Sequence, residues 1–246
     1  MGNIIEDISQ EEHNLINSAQ KDYGDYFINC VKLLELMRGV KSLKEESLVF
    51  FMFWGQVVSG MQLSISSLIR KHRAQSNMML RQVLESICFA CYGLYETNVN
   101  KYGVIEGDCL KPDVLIKREM YEWLDKNYHN YSEFIKKEKG KINELFSHSN
   151  IVVTQINMKQ NIEDIKTRIS FFDNDMKYLI EGELIGRSIM IYTIMKLLIN
   201  VNKAYPLLNI ENNLENDIEA QKNVTDNLIK SLLKNPEIHE IYGQKI

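Results

Sequence analysis

The stretch MMLRQVLESICFACYGLY (78–95) is apolar on nearly every side, yet it carries Arg81 and Glu85 one helical turn apart. A helix of that kind belongs in a protein interior. A charge placed there costs on the order of several kcal/mol unless a partner meets it. The rest of the chain must therefore wrap this segment and supply partners for two charges. Stepping by helical turns from Arg81 puts Arg81, Glu85, Cys88 and Tyr92 on one face, with Leu80, Leu84, Ile87 and Leu94 on the others. Two readings are open. The face is either a polar stripe lining a cleft, where Arg81 holds an anion or phosphate, or an internal Arg–Glu bridge that fixes helix register. Arginine before glutamate is the poorer order for a simple i,i+4 pair, which points to partners on other helices.

The remainder of the chain reads as further helices. Leu15, Phe27, Val31, Leu34 and Met37 sit close to helical spacing and predict a first helix over 9–38, closed by Gly39. Ser42 and Glu45 have capping-box spacing and open a second helix that runs to Ile69. One face of that helix, with Met52, Gly55, Gln56, Ser59, Gly60, Leu63, Ser66 and Ser67, is small and polar and permits close approach of another helix. The central helix is expected over 74–97, then a loop over 98–111. Pro112 suits the first turn of the helix that follows, and another helix covers about 131–146. IVVTQINM (151–158) and TRISFFD (167–173) flank a polar turn and predict a small hairpin. A long helix over about 174–203 stops before Pro206. An Asn/Glu-rich linker (209–217) and a short amphipathic helix (about 218–234) complete the chain. The expected fold is thus mostly all-α, a multi-helix bundle with a small β-hairpin insertion near 151–173. It divides into a helical domain over 1–208 and a C-terminal linker plus helix over 209–246.

Net charge is −4 with pI near 5.8, so no global field recruits nucleic acid or an anionic membrane. From Leu48 to Ile69 there is no charged residue, a length sufficient to span a bilayer. Gln56, Ser59, Gln62, Ser64, Ser66 and Ser67 lower its transfer energy, and a buried core helix with no membrane is the expectation. The N-terminal residues lack the pattern of a secretory signal. Cys30, Cys88, Cys91 and Cys109 lack disulfide-scaffold spacing, which suits a reducing, cytoplasmic setting. Cys88 and Cys91 form CFAC in mid-helix, where core packing is expected rather than redox or zinc chemistry.

RKHR (70–73) and KKEKGK (136–141) are the basic patches, and Arg70 and Arg73 are candidate phosphate ligands. His148 lies in LFSHSN at a helix end, between Ser147 and the pair Ser149–Asn150. That setting suits proton transfer, and it equally suits a histidine that caps a helix C-terminus. No HExxH, Walker loop, GxSxG or GxGxxG occurs, and neither a metal nor a cofactor is expected.

Arg81 and Glu85 in LRQVLES, followed by the histidine element of LFSHSN, are similar to uncharacterised all-helical bacterial proteins. These resemble the HEPN superfamily (higher eukaryotes and prokaryotes nucleotide-binding), and the resemblance spans roughly 50–200, with a core about 45–205. It implies a bacterial defence or toxin–antitoxin protein that binds or cleaves RNA or binds a nucleotide. If it is an enzyme, the implied reaction is metal-independent RNA cleavage. Arg81 would hold phosphate, Glu85 would orient Arg81, and His148 would be the acid–base group, with Ser147 and Asn150 beside it. Catalytic members carry an arginine shortly before a histidine on one helix. Here KINELFS precedes His148, with no arginine, so the implied site is a composite of Arg81 and His148. The rival reading is a non-catalytic helical interaction module whose C-terminal helix docks on a partner protein or on a second copy.

Overall fold

The computed structural model describes residues 3–41, 44–106, 109–112, 114–146, 158–161, 166–174 and 176–238. Its helices are α1 (Ile4–Met37), α2 (Leu48–Ile69), α3 (Arg73–Tyr95), α4 (Val114–Asn127), α5 (His129–Phe146), α6 (Lys177–Ala204) and α7 (Leu214–Leu232). Among the described residues three antiparallel two-stranded ribbons accompany them: β1 (Val40–Lys41) with β6 (Asn209–Ile210), β2 (Gly103–Glu106) with β3 (Cys109–Pro112), and β4 (Met158–Asn161) with β5 (Lys166–Ile169). The mostly helical class and the small hairpin near 151–173 are as the sequence predicts. In that hairpin Met158 pairs with Ile169 and Asn161 with Lys166, while 151–157 lies outside the described residues.

α2 and α3 form the central antiparallel pair. Gly93 lies against Val49, Gln56 bonds Ser86, Gly60 lies against Val83, and Ser64 bonds Ser76. Two glycines make this approach close. A Cβ on Gly60 would stand 2.8 Å from Val83 Cγ2, and one on Gly93 would stand 2.7 Å from Val49 Cγ1 and 3.0 Å from the Phe50 amide nitrogen. α1 and α6 close one side of this pair, and α4 and α5 pack against α3 on another. Phe50, Met61, Leu84, Ile87, Met120 and Ile180 are among the side chains fully buried between them. α2 and α6 are both long and apolar enough to cross a membrane. In the bundle α6 is buried along most of that length, and α2 buries the face it turns to α3.

Three departures from the sequence reading have local causes. α1 begins at Ile4, where the Asn3 side chain caps it by accepting the Ile5 N–H at 3.1 Å. It bends at Gly24, whose φ of 49° belongs to the region that only glycine enters freely. The segment expected as a loop over 98–111 contains a ribbon, with Val104 facing Lys111 and Ile105 facing Leu110 in register. Pro112 accordingly ends β3 rather than starting a helix, at a ribbon terminus where a missing N–H costs little. Finally, the presumed linker holds β6, which pairs with β1, and the first turn of α7, which starts at Leu214. Leu214 and Ile218 are buried, and α7 lies against α1 and α6. Its apolar side is thus occupied by its own chain.

The glycine contacts make a graded prediction. Gly93→Ala should destabilise by about 1–3 kcal/mol, because backbone as well as a side chain must yield. Gly60→Ala should cost less, since Val83 alone must move and alanine's better helix propensity, worth about 1 kcal/mol, offsets part of it. Urea unfolding of the two variants checks the order.

Candidate functional site

Arg81 and Glu85 do not bond each other; each meets a different helix. Arg81 Nε donates to Asn143 Oδ1 of α5 at 2.5 Å. Among the described residues neither of its Nη atoms has a hydrogen-bond partner. Glu85 is reached by Lys117 of α4 and by Lys139 of α5, the latter at 3.5 Å. Lys139, only 14% exposed, also donates to the Tyr121 hydroxyl at 2.6 Å and stands 5.2 Å from the centre of that ring. Burial raises the pKa of Glu85. The hydrogen bond from Lys117 and the charges of Lys139, Lys117 and Arg81 outweigh it and hold the carboxyl below its ordinary value. Three cations therefore surround one carboxylate. Arg81 and Glu85 line a cavity of about 420 Å³ with Gln56, Met78, Gln82 and Phe89. The rest of the expected stripe turns away from that opening: Cys88 and Tyr92 are buried, Cys88 with its thiol pushed up to about 12 by desolvation. Cys91 is buried beside it, so CFAC is core.

The RKHR turn joins α2 to α3 and is held from two sides. Glu12 of α1 accepts from Arg70 Nη1 at 3.1 Å and meets His72 Nε2 at 2.8 Å. Burial raises the Glu12 pKa, while the hydrogen bond to His72 and the charge and hydrogen bonds of Arg70 lower it further, so the net shift is downward. Asp173 accepts the Arg73 N–H at 2.5 Å and donates its own N–H to the Lys71 carbonyl at 2.9 Å. This double contact holds Lys71 at φ 60°. Burial pushes the Asp173 carboxyl up despite the Arg73 N–H and the charges of Arg73 and His72. Phe171 and Phe172 pack on the His72 ring at 5.0 and 5.5 Å. Arg70 is thus committed to Glu12, and the Arg73 guanidinium lies 5.8 Å from the Phe146 ring.

His148, Ser147 and Asn150 lie outside the described residues. The last described residue of α5, Phe146, stands beside Arg73, while Arg81 meets α5 at Asn143. α3 and α5 are therefore antiparallel. Among the described residues no group of three His, Cys, Asp or Glu side chains is placed to hold a metal ion.

Two features went unread in the sequence. His72 reads in the sequence only as part of a basic run, because its partner Glu12 is far away in the chain. Arg187, 3% exposed, donates to Ser64 Oγ at 2.9 Å, Ser76 Oγ at 3.0 Å, Asn77 Oδ1 at 3.1 Å and Glu183 Oε2 at 2.8 Å. Its only local signal was a charge inside ELIGRSIM, the same kind of anomaly that drew attention to Arg81.

The shifts predict opposite pH responses. Carboxyls held low when folded, Glu12 and Glu85, contribute stability that is present above their unfolded pKa and lost as pH falls through the folded one. Glu12→Gln and Glu85→Gln should each flatten the acid side of the stability–pH curve. Asp173, raised when folded, contributes stability at low pH that is lost as pH rises through its folded value. Asp173→Asn keeps an acceptor for Arg73, so its stability relative to wild type should improve from pH 3 towards pH 7. Denaturant titrations across that range check both signs. No protein-family model, no curated protein and no solved structure matches this chain.

Proposed function

We propose that the protein binds a phosphate-bearing ligand, RNA or a nucleotide, on the face formed by α3, α4 and α5, in the manner of a HEPN-like defence or toxin–antitoxin protein. The carrying observation is the Arg81 guanidinium, fixed at Nε by Asn143 with neither Nη atom partnered among the described residues, beside Lys117 and Lys139. A planar guanidinium oriented from one nitrogen presents the other two as a fork that fits two phosphate oxygens. Glu85 keeps the two lysines in place and leaves the cluster with more positive than negative charge. In this reading His148 is the acid–base group of any cleavage step, a role separable from binding.

Fluorescence anisotropy with a labelled single-stranded RNA, competed by a nucleoside triphosphate, tests the proposal. Arg81→Gln should weaken binding by about 1.5–3 kcal/mol and lower the slope of log affinity against log salt by about one. Absence of binding by the wild type, or the same affinity and slope in a variant that melts normally, sinks the reading. His148→Ala should leave binding intact and abolish RNA breakdown and growth arrest on expression.

A second reading, a helical interaction module, is favoured by the outer side of α2. Leu48, Met52 and Leu63 are each at least half exposed there, with Gly55 and Ser59 between them and no charge along the helix. Glu45 and Glu46 precede this face, and Arg70 and Lys71 follow it. Two copies packed antiparallel about Ser59 bring each acidic start to a basic end. They also set each Leu63 over the other's Gly55, where a Cβ would meet nothing within 4 Å. A second copy is therefore the partner this surface fits, with α2 rather than the C-terminal helix at the interface. Leu63→Lys should convert a dimer to a monomer in sedimentation equilibrium without loss of helicity. A wild-type monomer at high micromolar concentration contradicts it.

A further inference from the structure

A cavity of about 790 Å³ opens between α3, α5, α6 and the end of α7. Leu80, Ile142, Phe146, Met190 and Leu232 supply most of its wall. Along α6, Gly182–Glu183 and Gly186–Arg187 line it on two successive turns between Leu179 and Met190.

The two glycines are the informative part. A helix interior disfavours glycine relative to alanine, so a glycine there calls for a cause. Gly60 and Gly93 have one, since a Cβ would strike the facing helix. Gly186 has none of that kind: its backbone is helical, and a Cβ would meet nothing within 4 Å. At Gly182 a Cβ would make only an ordinary contact, 3.6 Å from Leu232 Cδ2. What these positions preserve is open volume.

Polar groups in the wall define what could occupy it. Arg187 spends Nε on Ser64, Nη2 on Ser76 and Asn77, and one Nη1 hydrogen on Glu183 Oε2. One Nη1 hydrogen and Glu183 Oε1 remain without a described partner, a donor and an acceptor side by side. The charges cancel: Arg187 pairs with Glu183, and Lys141 pairs with Glu138 at 2.6 Å in the same wall. A charged ligand would gain no net attraction and would lose its hydration. We infer that this cavity is a binding site for a neutral, mainly apolar small molecule bearing one amide-like donor–acceptor edge, which Glu183 and Arg187 recognise. It is independent of the phosphate reading, which uses Arg81 and Glu85, neither of which lines this cavity.

Three probes of similar size separate the chemistries in protein-observed NMR on the full chain: N-hexylbenzamide, decanoate and decylammonium. The amide should shift resonances of α6 and of Leu80 and Ile142, and the two ions should not. Gly186→Leu places a side chain in the open volume and should weaken amide binding about tenfold or more while the melting temperature holds or rises. Gly186→Ala, which barely intrudes, should retain the fold and bind at least as well as Gly186→Leu. Gly140→Leu, on α5 with no neighbour within 4 Å, should leave binding unchanged. No shift with the amide at millimolar concentration, equal binding of all three probes, or undiminished amide binding by folded Gly186→Leu would each overturn the inference.

Discussion

The contact on which the rest of the molecule depends is the close antiparallel approach of α2 and α3. Gly60 and Gly93 bring the two backbones together, and Ser64 and Ser76 bond across the pair. Those serines are buried, and their hydroxyls accept from Arg187 of α6. A single buried arginine thereby joins three helices through two serines whose own hydroxyls already donate across the α2–α3 pair. Such a network is stable only when complete, because each orphaned buried polar group costs about 1–3 kcal/mol. The position of α6, and of α1 and α7 packed on it, thus follows from two glycines and two serines on α2 and α3.

The same pair sets where chemistry can sit. α3 presents one side to α4 and α5, carrying Arg81 and Glu85, and another to α6, carrying Ser76, Asn77 and Leu80. On the first side the charges do not cancel: three cations meet one carboxylate. On the second they do, in the pairs Arg187–Glu183 and Lys141–Glu138. One helix consequently borders both a cluster of unbalanced charge and a cavity whose charges are paired. The RKHR turn at its start belongs to neither, being tied to α1 by Glu12 and to the segment before α6 by Asp173.

Helices were legible because periodicity and the scarcity of breakers act locally. The ribbon over 103–112 was not, because two four-residue strands with Gly103 and Pro112 at their ends give a weak alternation signal. The charge anomaly at Arg81 and Glu85 pointed correctly to partners on other helices, as their poor i,i+4 order required. It could not name Asn143, Lys117 or Lys139, since nothing local to α3 specifies which surface α4 and α5 bring. Arg187 stood in an equally apolar helix and was open to the same argument. The serines that hold it lie in the segment Leu48–Ile69, where they registered only as polarity that argued against a membrane span. Ser64 shows why the two roles are hard to separate from sequence: a hydroxyl that lowers membrane affinity is also what a buried guanidinium needs.

That double meaning bears on how such a chain divides stability from function. Arg187 and Arg81 are the same residue type in comparable helices, yet among the described residues four of the five N–H groups of Arg187 are spent inside the fold, while Arg81 spends one. An arginine held at three nitrogens, as Arg187 is, has one N–H left and cannot present a two-pronged clamp without breaking core bonds. One held at a single nitrogen is oriented and still available. The division lies in the neighbours. Ser64, Ser76 and Asn77 surround Arg187 with small acceptors at short range, whereas Lys117 and Lys139 draw Glu85 away from Arg81 and leave it with Asn143. The two lysines thus engage the carboxylate one helical turn from Arg81, and Asn143 is the partner its guanidinium keeps among the described residues.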